Sequence, residues 1–243
     1  MRSTVGILVS LGRGGCQVPE EKRSKHGFSY NPWDPTCKLL GGTFLFANPE
    51  KDFDLPESAL ANKTKSMWSW DSVDEKSMVT DIYLALQSAL DLVHKAHDGG
   101  ISPILCGIGI TSSDVPIIFE LIKRHGVLSN AEAFAFQNKF RVVDLSQLTL
   151  ASFNHANYFL YPKSKNVILG KYLANKKFES GKTVWDLYEE ENYNGIKDRV
   201  MDEVLSTHQC YMLIKQDFDK FKALELVDKR RAKELRKAQE VEL

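Results

Sequence analysis

The segment from Pro103 to His125 constrains the fold of this chain more than any other stretch. Pro103 to Ile108 is apolar and predicts a strand, Gly109 to Ser113 predicts a turn, and Val115 to His125 predicts a helix. In α/β proteins, ligands and metals usually bind at the carboxyl ends of the strands. The carboxylate of Asp114 stands at this point. The segment therefore predicts an α/β fold with Asp114 as a candidate site residue.

Periodic apolar residues predict further strands and helices around this segment, giving a mixed central sheet flanked by helices. Residues 48–74 are expected to be irregular, with Trp68 and Trp70 packing on the core. The predicted strands are Thr4–Leu11, Lys38–Ala47 and Phe140–Leu145, and the predicted helices are Glu75–His97, Ala131–Asn138, Val167–Leu173, Val184–Glu191 and a late helix ending near Ile214.

Length and composition favour one globular domain with an extension. The chain has 243 residues, and 32 basic and 32 acidic side chains give a net charge of zero, so charge does not indicate a partner. The four cysteines are scattered, no signal segment is recognised, and no apolar run approaches the roughly 20 residues that span a bilayer. We expect a soluble, cytoplasmic protein with a domain at 1–215, a polar insertion loop at 12–36 and a charged helical extension at 216–243.

Two further carboxylates accompany Asp114 as site candidates. Asp198 and Asp202 are four residues apart in the late helix, so both project from one face. Asp114 also has a structural interpretation, because an aspartate after Thr111-Ser-Ser and before a helix is a common N-cap. Helix capping and metal ligation both remain open for Asp114.

Four stretches occur in an order that is typical of one family of nucleases. They are Gly107-Ile-Gly-Ile-Thr-Ser-Ser-Asp114-Val-Pro116, Asp144-Leu145, Leu169-Gly-Lys-Tyr-Leu-Ala-Asn-Lys-Lys177, and Asp202 at the end of a Tyr-x-x-x-Asp-like pattern. Over residues 75–215 the chain thus resembles the exonuclease domain of family-B DNA polymerases, within the DnaQ-like group of the ribonuclease-H-like superfamily. The resemblance implies that Asp114 and Asp202 are metal ligands.

The resemblance also implies a reaction and its cofactors. Members of the family hold two divalent cations, Mg²⁺ or Mn²⁺, with four carboxylates, and an activated water releases nucleoside monophosphates from a 3′ end. The family's first strand ends in Asp-x-Glu, where this chain has Ser10 and Gly12. Gly109, Ser113 and Asp198 stand at the family's asparagine, phenylalanine and tyrosine. These changes predict an atypical, catalytically impaired metal site.

Two other functions remain open. In the first, Asp114, Asp198 and Asp202 assemble around a single cation, with an acid from Glu20-Glu21 completing the site of an active, rewired exonuclease. In the second, the chain is a protein–protein interaction or scaffold subunit that uses the fold without nucleic acid.

A set of basic and small polar residues is predicted to contact DNA or RNA, as a single strand or a 3′ end. The basic cluster has an alternative interpretation as a solvated loop, and the basic run Lys229–Lys237 has one as a solvated terminal helix. The predicted contact residues are Arg13, Lys22, Arg23, Lys25, Ser112 and Ser113.

Overall fold

The computed structural model describes residues 6–8, 16–23, 30–49, 51–52, 55–154, 160–174 and 176–241. Its strands are β1 (Gly6–Leu8), β2 (Cys16–Gln17), β3 (Lys38–Leu39), β4 (Gly41–Ala47), β5 (Thr64–Trp68), β6 (Ile104–Gly107) and β7 (Arg141–Asp144). Its helices are α1 (Glu57–Ala61), α2 (Glu75–His97), α3 (Asp114–Arg124), α4 (Asn130–Gln137), α5 (Leu145–Leu148), α6 (Leu150–Asn154), α7 (Lys165–Tyr172), α8 (Thr183–Glu189) and α9 (Tyr193–Val241).

Five of the strands form one mixed sheet in the order β5-β4-β1-β6-β7, and β2 pairs with β3 separately. Strand β4 runs antiparallel to both neighbours, whereas β1, β6 and β7 are parallel to one another. Strands β1, β5, β6 and β7 therefore end on the same side of the sheet, at Leu8, Trp68, Gly107 and Asp144. We call this side the carboxyl end of the sheet.

Helices cover both faces of the sheet, so the chain has an α/β architecture. Strand β4 shows this best, because nearly all of its residues are buried although successive side chains point to opposite faces. Phe44 packs in a core cluster with residues of α2 and α3. Leu45 packs in a second cluster with residues of α7 and α9.

Local sequence signals explain the best-defined helix. Helix α2 begins after Asp74, whose carboxylate accepts a hydrogen bond from the backbone N–H of Ser77 at 2.7 Å. It ends at Asp98, which has a left-handed backbone with φ of 48°. Apolar side chains on one face, including Ile82, are buried in the first cluster. The prediction of Glu75–His97 is confirmed.

The region from 48 to 74 is more regular than its sequence predicts. It contains α1 and β5, so the expectation of irregular structure is wrong. Strand β5 is short and its residues Lys65 and Ser66 are exposed, which weakens the apolar alternation that marks a strand. The packing of the two tryptophans is confirmed, because Trp68 is buried and Trp70 stacks on it with ring centroids 5.0 Å apart.

Helix α9 differs from expectation in having no break. The sequence predicts a helix ending near Ile214 and a helical extension at 216–243, whereas the structure has one helix that continues without interruption beyond Ile214 to Val241. No glycine or proline occurs in this stretch, so nothing in the local sequence stops the helix. None of the helices in the described ranges has both the length and the apolar character needed to cross a membrane.

Candidate functional site at the carboxyl end of the sheet

The turn after β6 places Asp114 at the carboxyl end of the sheet. Gly109 adopts φ of 78°, a conformation that glycine reaches without strain, and a short 3-10 turn follows. Ser113 is the N-cap residue of α3, and Asp114 is the first residue within the helix. The interpretation of Asp114 as the N-cap is therefore wrong by one position. The Asp114 side chain is buried, and its charge lies where the helix dipole favours an anion.

Asp144 holds this turn in place from the end of the neighbouring strand. Its carboxylate accepts hydrogen bonds from the backbone N–H groups of Gly109 (2.8 Å), Thr111 (3.1 Å) and Ser146 (2.9 Å). The hydroxyls of Thr111 and Ser146 donate at 2.6 and 2.7 Å. Burial alone raises the pKa of Asp144, but the hydrogen bonds from Thr111 and Ser146 outweigh it and the pKa is lowered. Asp144 is thus a buried anion that fixes the loop carrying Asp114.

This role of Asp144 is not among the predictions from the sequence. The local signal was available, since an aspartate at the end of a strand and two residues before a serine is typical of an N-cap. The bonds to Gly109 and Thr111 span 35 and 33 residues, and no local pattern indicates them.

Asp198 and Asp202 lie on the exposed side of α9. The carboxylate of Asp202 pairs with the ammonium of Lys176 at 2.5 Å, and its side chain is 51% exposed. Ser206 donates a longer hydrogen bond to the same carboxylate at 3.4 Å. Asp202 is therefore reachable from solvent and has a cationic partner.

The structure does not gather the predicted ligands into one metal centre. Among the residues that it describes, no group of three or more His, Cys, Asp or Glu side chains is arranged to hold a metal ion. Asp114 is buried at the start of α3, whereas Asp198 and Asp202 are exposed on α9. This arrangement does not fit the carboxylate cluster that two Mg²⁺ ions need. Ser10 and Gly12 lie outside the described residues, and the ligand roles stay a prediction.

The predicted nucleic-acid contacts have structural partners where the structure describes them. Lys22 pairs with Asp34 at 2.7 Å, and Arg23 pairs with Glu189 and lies over the Trp185 ring at 4.8 Å from its centroid.

The small polar contact candidates also bond within the protein. The hydroxyls of Ser112 and Ser113 donate to the carbonyl of Gly109 at 3.0 and 2.9 Å. Arg13 and Lys25 lie outside the described residues. Binding of nucleic acid by these six residues stays a prediction.

An aromatic stack fixes the beginning of α9 beside the carboxyl end of the sheet. The Trp70 ring stacks on Trp68 and on Tyr193, with centroid distances of 5.0 and 4.6 Å. Lys197 lies 5.9 Å from the Trp70 ring centroid and pairs with Asp71 at 2.8 Å. These contacts pack the beginning of α9 onto the sheet.

His208 lies at the opposite end of the sheet from Asp114. It is 2% exposed, and its Nε2 has no hydrogen-bond partner among the described residues. Burial lowers the pKa of His208, Asp52 acts in the opposite direction, and Lys63 lowers it further. Asp52 and Lys63 form an ion pair at 2.6 Å. His208 is therefore a neutral core residue.

Comparison with protein-family models, characterised proteins and solved structures finds no match to this chain.

Proposed function

We propose that this chain is a ribonuclease-H-like, DnaQ-like exonuclease homologue that binds nucleic-acid ends and whose metal site is atypical and impaired in catalysis. The strand order supports the fold assignment. Strands β1, β4 and β5 are antiparallel neighbours, and β6 and β7 continue the sheet on the other side of β1, parallel to it. Asp114 follows β6 and Asp202 lies on α9, and the resemblance assigns these two residues to the second and third motifs. The first-motif acids are replaced by Ser10 and Gly12.

The ion pair between Lys176 and Asp202 carries the proposal. A divalent cation is held by several carboxylates, whereas here the carboxylate that the family uses as a ligand is compensated by a single ammonium group. Lys176 is still 33% exposed in its side chain, so a phosphate oxygen can reach its ammonium. A lysine at this place can bind a phosphate as a point charge, but it does not activate water as a metal does. The proposed site therefore binds a phosphate group without hydrolysing the phosphodiester bond.

Binding is tested by fluorescence anisotropy with 5′-labelled single-stranded DNA and RNA of about 20 nucleotides, in the presence of EDTA. We expect binding that weakens as salt increases, and Lys176→Ala should reduce the slope of the salt dependence by about one phosphate contact. Lys177→Ala is the matched control, because it removes the same charge from the neighbouring exposed residue. It should leave affinity within about twofold of wild type. Absence of binding up to about 100 μM would overturn the proposal and favour the scaffold function.

Catalysis is tested on the same oligonucleotides with Mg²⁺ or Mn²⁺, alongside calorimetric titration of each metal. We expect no release of mononucleotides and no tight metal binding. Release that requires Mn²⁺ and is lost in Asp114→Asn would instead establish the rewired exonuclease. Asp219→Asn, an exposed acid far along α9, is the control for the loss of one negative charge.

A further inference from the structure

The second half of α9 extends beyond the domain as an exposed helix. We call residues 217–241 the arm, a helix of roughly 40 Å at 1.5 Å per residue. Every residue from 218 to 232 is exposed. Five of these are large and apolar with at least half of their surface exposed, namely Phe218, Phe221, Leu224, Leu226 and Val227. Phe218, Phe221 and Leu224 follow one another at intervals of three residues along one side of the helix, and exposed apolar side chains in such a row indicate a binding partner.

We propose that the arm pairs with the arm of a second copy of this chain, side by side and antiparallel. The first evidence is charge. Residues 217–228 contain four acidic and two basic side chains, for a net charge of −2, whereas residues 229–240 contain six basic and two acidic side chains, for a net charge of +4. An antiparallel pair places each acidic half against a basic half, while a parallel pair places like charges together.

The spacing of the arm residues defines the register. Positions 221, 224, 228, 231, 235 and 238 alternate by three and four, as the contact positions of a two-stranded coiled coil do. A two-fold axis between residues 229 and 230 sets Asp228 of each copy opposite Arg231 of the other. The same axis sets position 224 opposite position 235, and position 221 opposite position 238. Because the pairing is symmetric, each of these contacts occurs twice.

An apolar cleft at the base of the arm continues this surface. It has a volume of about 240 Å³, and Phe218 and Phe221 line it together with Leu148, Tyr172 and Ile214. In the register above, position 241 of the second copy lies opposite Phe218. The contact surface therefore extends from the arm toward the domain.

The test is the mass of the full chain in solution, measured by sedimentation on nuclease-treated protein. Wild type should sediment at twice its monomer mass of 27.5 kDa. Asp228→Arg and Arg231→Asp each place like charges at both central contacts, so each should weaken the dimer by at least about 100-fold and shift it toward monomer. Lys222→Glu changes the charge by the same amount at an exposed position outside this register, and it should remain dimeric.

Restoration of pairing makes the register itself testable. The double variant Asp228→Arg/Arg231→Asp should dimerise again, and an equimolar mixture of the two single-variant proteins should form a heterodimer, because opposite charges face each other in both cases. Urea unfolding of the single variants should match wild type at high dilution, which shows that the domain is folded. A monomeric wild type at about 100 μM overturns the proposal. Dimeric single variants, or a double variant that stays monomeric, overturn the antiparallel register.

Discussion

Two consecutive residues of α9, Asp202 and Glu203, each pair with a lysine, yet they lie in opposite environments. The Asp202 side chain is 51% exposed and pairs with Lys176. The Glu203 side chain is 4% exposed and pairs with Lys165. Adjacent helical residues point about 100° apart, so one faces solvent while the other faces the helices packed against α9.

The two environments indicate which of the two carboxylates can contact a ligand. An exposed ion pair contributes little to stability and can exchange its lysine for a ligand, because water stabilises both separated charges. A buried pair cannot be broken cheaply, since each charge left alone has lost its water. Glu203 is therefore structural, whereas the exposed pair of Asp202 with Lys176 can open to solvent.

The largest effect is expected on breaking the buried pair. Lys165→Met should lower the free energy of unfolding by about 3 kcal/mol in urea denaturation, because Glu203 is left buried and charged. Adding Glu203→Leu to this variant should recover much of the loss, since two apolar side chains can replace a buried pair. A loss below about 0.5 kcal/mol for the single variant would mean that the buried pair of Glu203 contributes no more to stability than the exposed pair of Asp202.

Asp144 provides a third case for comparison, because its buried carboxylate is held by hydrogen bonds instead of a lysine. Asp144→Asn should cost about 2 kcal/mol at pH 7, because the amide cannot accept all the bonds donated by Gly109, Thr111 and Ser146. The pKa of Asp144 is lowered in the folded state. Its stabilisation is therefore complete above the unfolded pKa of about 3.9 and is lost as pH falls through the folded pKa.

Denaturation of wild type and Asp144→Asn at pH 7 and in progressively more acidic buffer checks this sign. The difference in free energy of unfolding should shrink as the pH falls below about 4. A difference that stays constant would show that the carboxylate charge does not contribute.

His208 on the same helix tests a third response to burial, which is loss of charge. Burial lowers the pKa of His208, so the folded protein binds this proton less readily than the unfolded chain. The free energy of unfolding should therefore decrease as pH falls from 7 through the unfolded pKa of about 6.5 toward the lowered folded value. His208→Leu should remove this decrease between pH 7 and 5. An equal decrease in the variant would assign the effect to other groups.

The smallest effect is expected on breaking the exposed pair. Lys176→Met should change the free energy of unfolding by no more than about 0.5 kcal/mol, and salt should reduce the change further. Thermal or urea unfolding in low and high salt measures it. A loss comparable to that of Lys165→Met would make Lys176 structural and would contradict the proposal that its ammonium binds phosphate.

Much of the local structure follows from the sequence. Helix α2 was predictable from its apolar spacing and the cap at Asp74, and the strand-turn-helix around Asp114 from its apolar strand and small residues. Strand β5 was not predictable, because Lys65 and Ser66 interrupt its apolar alternation. Its strand conformation depends on antiparallel pairing with β4. The candidate site was predictable only as individual residues, namely Asp114, Asp198 and Asp202.

The sequence alone predicts helix α2, the turn that carries Asp114 and the spacing that aligns Asp198 with Asp202, because these depend on local backbone preference and on periodicity. The tertiary structure shows that Asp144 holds the turn, that Asp202 pairs with Lys176 in solvent, and that Glu203 is buried with Lys165. Each of these contacts joins residues far apart in the chain. Their environments depend on which helices and strands pack together, and no local pattern encodes that packing.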